Sequence, residues 1–446
     1  MRALRTRLLL AVTVVTMALA GASSAGHSQA SAASVSPTVV DTVPPPPPGV
    51  DAVLDSARAR RGGTLTISLY TYGPSDVYFE RFGHVAIGIH DRVTGSDVAF
   101  NWGIFNFDQP NFLLRFLTGD TKYQMAGYET RMFNGVYRDD NRSIRQQVLA
   151  MTPVEKSALA EFIAWNSREE HKYYRYDYYS DNCSTRVRDA LDRVLGGRLH
   201  AALTGTGGAR TWRGETARLL GSMLPLYAGI EVALGRRADE PLSKWDEEFL
   251  PEHMATHYEK LVLTDAGGTR YRLVNRDTML FVASRVPLPG EPPSRDIFAA
   301  LLGLTLAGLL ASLADARATV ARVVLVVGVA LWYLVGGVLG TALLLAATVT
   351  KHAPYMGANT TLLSLQPLLL VAAVLVPIAL WRGVRSRAAM GVAALIALLS
   401  ICGVLLQLVP SLTQSSNMVL GVVVPIHVAI AVALWRVGHH RGGRRP

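Results

Sequence analysis

An exported α+β domain followed by an all-α transmembrane bundle of five helices is the fold class predicted by three features of the sequence. A basic and then apolar start reads as an export signal, alternating and helical apolar patterns fill residues 64–296, and five long apolar runs fill residues 297–435. Half of the 446 residues are apolar, more than an ordinary soluble chain of this length carries, so part of the chain is expected in lipid.

At the start, Arg2, Arg5 and Arg7 precede an apolar run over residues 8–20, and Ala18-Leu19-Ala20 offers the small-residue pattern a signal peptidase reads. Residues 1–20 are therefore expected to be a signal peptide. No cysteine stands near the cleavage point, which argues against a lipid anchor on the chain itself. Residues 21–63 open on Ala, Ser and Thr and run through the five prolines Pro44 to Pro48; such a composition buries no core and reads as a disordered spacer.

The apolar runs at 297–314, 323–349, 362–381, 388–409 and 418–435 are each long enough to cross about 30 Å of hydrocarbon. Basic residues concentrate in cytoplasmic loops. Arg317 and Arg322 lie between runs one and two, and Arg382, Arg385 and Arg387 between three and four. The basic tail, residues 436–446, carries Arg436, Arg441, Arg444 and Arg445, whereas loops 351–361 and 410–417 hold only Lys351. This asymmetry puts the C-terminus inside and residues 21–296 outside. The net charge of +10 is explained largely by these loops, and nucleic acid is not an expected partner.

The outer domain, 64–296, has one cysteine. Exported domains keep cysteines mostly in pairs, yet Cys183 has no mate there, because Cys402 lies in the fourth apolar run. Strands are predicted at 64–70, 83–90 and 98–103, with Thr94-Gly95 turning between the last two. Helices are predicted at 153–170, opened by Thr152-Pro153 and Glu155, and at 184–195, stopped by Gly196-Gly197.

Asp181 or Asn182 caps the second helix, so Cys183 falls in its first turn. There the unpaired N–H groups and the positive dipole end favour thiolate, and the same N–H groups are donors for an oxyanion. A thiol nucleophile needs a base, and among the outer histidines His84 is the preferred candidate: it opens an apolar strand directly after Gly83, whose missing side chain admits a close approach. His90 faces the same side of that strand but lies about 20 Å away at the usual rise. Asn101 on the next strand is the preferred orienting group for the imidazole, with Asp91 and Asp181 as carboxylate alternatives. Tyr179, Asn182, Ser184 and Gly83 are placed as substrate-binding neighbours. In YYRYDYYSDNC, an extended chain puts Tyr174, Tyr176 and Tyr178 on one face. His253 and His257 stand four apart beside Glu252, which is metal-ligand spacing, but a solvated helix face explains them better; no metal and no cofactor are expected.

The blocks FGHVAIGIHD, FNWGIFNF, FLTGDTKYQM and YDYYSDNCSTRVRDAL, in this order, resemble the Lnb-type bacterial lipoprotein N-acyltransferase family, over roughly residues 64–262. The resemblance implies a permuted papain-like fold, similar to NlpC/P60 domains and to lecithin:retinol acyltransferase, with Cys183 as the acyl-accepting nucleophile and His84 as its base. It also implies the partners: a membrane phospholipid as acyl donor and a diacylated lipoprotein as acceptor. Some related families place a second histidine where this sequence has Asn101.

Overall fold

The computed structural model describes residues 51–105, 110–205, 207–265 and 267–440. The predicted signal peptide and most of the predicted spacer lie outside these residues. Where the spacer was expected to continue, the chain forms helix α1 (Asp51–Gly62). Arg58 on α1 holds Glu161 with Nη2–Oε2 at 2.7 Å, so these residues are tied to the domain by charge rather than by apolar content. Gly62 lies against Pro153, where a Cβ would meet the Pro153 carbonyl.

The predicted strands extend to β1 (Leu65–Tyr72), β2 (His84–Asp91) and β3 (Asp97–Ile104), an antiparallel meander. β4 (Lys122–Glu129), β5 (Ile144–Leu149), β6 (Tyr173–Arg175) and, after a separate hairpin of β7 (Val262–Thr264) and β8 (Arg270–Arg272), β9 (Val274–Phe281) complete the sheet. Its order is β6-β4-β3-β2-β1-β5-β9, with every neighbouring pair antiparallel.

Between β3 and β4 stands α2 (Phe112–Thr118), and after β4 comes α3 (Thr130–Asp139). α4 (Pro153–Asn166) starts with the expected capping box, Thr152 and Glu155 each satisfying the other's backbone N–H. α5 (Cys183–Val194) follows β6. Leu159 and Ile163 of α4 and Val187 and Leu191 of α5 bury themselves against Ile67, Leu69, Val85, Ile87 and Trp102 of the sheet. Phe133 and Tyr137 of α3 cover Tyr70, Tyr72, Ala86 and Ala99 in a second cluster. The apolar stripe that predicts α5 is thus the one that fixes it in place.

Five helices are long and apolar enough to cross a membrane: Asp296–Asp315, Thr319–Val349, Thr360–Arg382, Arg387–Leu406 and Asn417–Arg436. The two arginine-poor loops between them are the ones that touch the outer domain. Asn359 Nδ2 donates to the Val232 and Ala233 carbonyls at 3.0 and 3.1 Å, Gln414 Nε2 to Leu234 O at 3.2 Å, and Gly235 N to Tyr355 O at 2.8 Å. At the opposite end Arg436 pairs with Asp315 at 3.3 Å. The arrangement agrees with the orientation read from the arginines.

Candidate active site

α5 begins at Cys183 because Asn182 caps it. Asn182 Oδ1 accepts from Ser184 N at 2.8 Å and Thr185 N at 3.0 Å, while Thr185 Oγ1 accepts from Asn182 N at 2.8 Å. Asn182 Nδ2 donates to Tyr178 O and Phe249 O, each at 3.0 Å. Every polar atom of this side chain is spent on holding the helix start, a role that typically contributes about 1 kcal/mol. Asn182 is a positioning residue here and offers no free atom to a substrate. Ser184 is fully buried behind it.

His84 opens β2 on the sheet face covered by α3. Its ring stacks on Tyr137 at 6.1 Å and Tyr72 at 6.3 Å, and Phe133 meets it edge-on at 6.4 Å. Nε2 lies 3.1 Å from Asn101 Oδ1, and Asn101 Nδ2 donates to Ala126 O at 3.2 Å. The second bond fixes Asn101 with its oxygen toward the ring, so Nε2 carries the hydrogen and Nδ1 is left as the basic nitrogen.

Cys183 comes from the other face, and the two meet where β2 begins and β3 bulges. The register of β3 against β4 shifts between Trp102 and Ile104, and Gly103 at the bulge has φ +123°. A Cβ on Gly103 would lie 3.3 Å from Cys183 Cβ and 3.3 Å from His84 Cε1. Gly103 is therefore the point at which the Cys183 side chain and the imidazole approach one another; an isolated glycine inside a strand pattern is a signal of this kind.

Thiol and imidazole are both neutral at rest. Burial pushes the Cys183 thiol up to about 12, against the N–H groups of Ser184, Cys183 and Val85 and the charge of Arg142, which all favour thiolate. Burial likewise lowers His84 to about 4, with the Asn101 bond opposing and Arg142 assisting. Desolvation thus opposes the thiolate expected at the helix N-terminus and outweighs the N–H groups that favour it. Arg142 is itself buried, donating to Gly73 O at 2.8 Å, pairing with Glu80 at 3.2 Å and lying over Tyr137 at 4.7 Å. Nothing in the sequence pattern marked it.

The other expected site residues separate. Asp181 forms a two-pronged ion pair with Arg186, which in turn lies 4.4 Å over Tyr174; it is not bonded to His84, so Asn101 alone occupies the orienting position. Tyr179 is buried, its hydroxyl 2.8 Å from Thr216 Oγ1 and its ring packed on Phe249 and Tyr355, so it joins the domain to the membrane helices rather than lining the site. Gly83, at φ +76°, sits where a Cβ would come within 2.8 Å of Tyr72 O; the close approach is β1 and not a substrate. Of the tyrosine run only Tyr173–Arg175 is a strand. His90 is exposed at the far end of β2, opposite Asp97.

α6 (Pro251–Lys260) corrects the reading of His253 and His257 as a solvated face. His253 is buried with Nε2 2.9 Å from Glu215, and His257 has Nε2 3.0 Å from Glu247 and Nδ1 3.4 Å from Glu248. The donor atoms of Glu215, Glu252 and His253 cluster within 4.8 Å, but the Arg218 guanidinium sits on both carboxylates and makes the cluster an ion-pair network.

Comparison with known families adds one decisive finding: residues 57–217 match the family model of the Lnb N-terminal periplasmic domain. Over this segment the chain is similar to that domain family. The match contains Cys183, His84, Asn101 and Gly103, and in this chain it is followed by the five apolar helices of a multi-pass membrane protein, the arrangement expected from the motif resemblance. No curated protein and no solved structure matches the chain.

Proposed function

We propose that the protein is a thiol-dependent acyltransferase of the bacterial inner membrane. In this reading it carries an acyl chain from a phospholipid, through a thioester on Cys183, to the N-terminal amine of a diacylated lipoprotein. The observation that carries the reading is the meeting of Cys183 with an Asn101-oriented His84 over Gly103, in an Lnb-type domain docked on five apolar helices. Cysteine at a helix start, histidine at a strand start and an amide behind it is also the constellation of papain-like enzymes, the fold we assign to the domain.

Because both groups are neutral at rest, thiol deprotonation and attack are coupled. His84 Nδ1 takes the Cys183 proton as sulfur adds to the ester carbonyl, and Asn101 Oδ1 holds the Nε2–H of the resulting imidazolium. The Cys183 N–H, outside the Asn182 cap, is the donor we assign to the oxyanion. Collapse expels the lysophospholipid alkoxide, which takes the proton from His84 and leaves a thioester. In the second half the amine adds to the thioester carbonyl, His84 Nδ1 accepts its proton, and Cys183 departs and is reprotonated as the amide forms. A site docked on the spans meets both lipid-borne substrates at high effective concentration.

The test is purified full-length protein in nanodiscs containing one defined phospholipid. The reading expects lysophospholipid and a hydroxylamine-labile acyl adduct on the Cys183 peptide, discharged by an N-terminal cysteinyl lipopeptide. Free fatty acid in place of amide would make the protein a phospholipase, and release of peptide fragments from peptidoglycan a cell-wall hydrolase.

A further inference from the structure

α2 exposes an apolar face beside the membrane helices. Leu113, Leu114, Phe116 and Leu117 are each more than half exposed, at 68, 62, 58 and 58%, and their spacing of three and four residues puts them on one side of the helix. Its one charged residue, Arg115, turns back to Asp120 at 3.4 Å and to Pro110 O at 3.2 Å. A patch of this kind on a soluble surface marks a partner.

The position of α2 says which partner. The second apolar helix ends at Val349, and the next residues clasp the end of α2: Lys351 N donates to Thr118 O at 2.9 Å, Lys351 Nζ meets Asp120 at 3.2 Å, and His352 Nε2 lies 3.1 Å from Phe116 O. Gly119, at φ +72°, lets this junction close, since a Cβ there would lie 3.2 Å from Lys351 Cβ and His352 Cε1. α2 is thus pinned at the outer-domain end of a helix long and apolar enough to cross a membrane. A second apolar edge, Val77, Tyr78 and Phe79, is also exposed. Phe79 continues inward through ring contacts to Phe105 at 6.2 Å, Tyr123 at 5.0 Å and Tyr176 at 4.2 Å.

We propose that α2 is seated in the outer leaflet of the bilayer that the five helices cross, its Leu113/Leu114/Phe116/Leu117 face among the acyl chains. It forms a lip that brings the mouth of the Cys183 site to the lipid. Short helices with an apolar face and a polar back lie in the membrane interface in this manner. The seating rests on the spans and the clasp alone; only the delivery of an acyl chain along the aromatic path rests on the acyltransferase reading.

The experiment places the photoreactive residue benzoylphenylalanine at Leu114, Leu117, Leu331 or Val93 of the full-length protein in phospholipid nanodiscs and identifies cross-linked peptides by mass spectrometry. Leu331 is an exposed position of the second span and Val93 an exposed position of the β2–β3 turn. Phospholipid adducts at 114 and 117, as at 331, with none at 93, are expected. Adducts at 331 but none at 114 and 117, or cross-links from 114 and 117 to protein instead of lipid, would overturn the lip while leaving the acyltransferase reading standing. Lipid at neither 114 nor 331 would remove the bilayer reading and the lip with it.

Discussion

His84 and His253 are each held by one oxygen at about the same distance, Asn101 Oδ1 at 3.1 Å and Glu215 Oε2 at 2.9 Å, and they serve opposite ends. His84 stands among an amide, three aromatic rings and a thiol, with no carboxylate partner, and the nearby Arg142 charge disfavours its protonation. Burial keeps it uncharged, and its second nitrogen is left with a proton to take. His253 faces a carboxylate that Arg218 also neutralises; although burial raises the pKa of Glu215, the bonds from His253 and Arg218 lower it to about 2. His257 repeats the second pattern: burial opposes its charge, but Glu247 and Glu248 together raise its pKa. The imidazole proposed as the base has a neutral amide partner, whereas the imidazoles beside carboxylates hold helices together.

The sharpest way to break this contrast is to remove the sulfur. Cys183→Ser should abolish acyl transfer, a loss of several orders of magnitude, while the protein still reaches the membrane. Transfer near the wild-type rate would remove the nucleophile. Next, His84→Ala should lose roughly a hundredfold to ten-thousandfold in amide formation. In the wild type, thioester formation and lysophospholipid release, which involve no amine, should persist on the acid side down to the region of pH 4, because His84 keeps its base form above its depressed pKa of about 4. An acid limb at the ordinary histidine value of about 6.5 would contradict the burial argument.

Gly103→Ala should cost about 1–3 kcal/mol at a positive φ and lower transfer more than it lowers folding, because its methyl presses on both Cys183 Cβ and the imidazole. Equal losses in a melting curve and in activity per folded molecule would make the glycine merely structural. His253→Ala should do the reverse, losing about 1.5–3 kcal/mol with the buried hydrogen bond to Glu215, with normal transfer by what remains folded. His90→Ala should change neither, since His90 is exposed at the far end of β2.

The fold was legible where a periodic pattern is self-contained. The alternation in β1 to β3, the Thr152/Glu155 cap and the five apolar runs each report their own structure. The strands β5 and β9 were not, because Arg145, Gln147 and Asp277 take part in a polar cross-strand network that hides the alternation. In the site, Cys183 and His84 stood out as chemistry at a helix start and a strand start, and Asn101 as an amide on the next strand. Gly103, Arg142 and Tyr137 did not, since what they do depends on a bulge and on a helix packed from another part of the chain. The thiol's protonation was misjudged for the same reason: a helix N-terminus is written in the sequence, but the desolvation that outweighs it is made by the assembled sheet.

The account's central claim is that the Cys183–His84 pair moves an acyl chain onto a lipoprotein amine. Its most direct test is mass spectrometry of lipoprotein N-termini from a bacterial strain lacking its own N-acyltransferase and expressing wild type, Cys183→Ser or His253→Ala at matched folded levels. N-acylated termini are expected with wild type and with His253→Ala and not with Cys183→Ser. Free amines with wild type, or N-acylation that persists in Cys183→Ser, would contradict the claim.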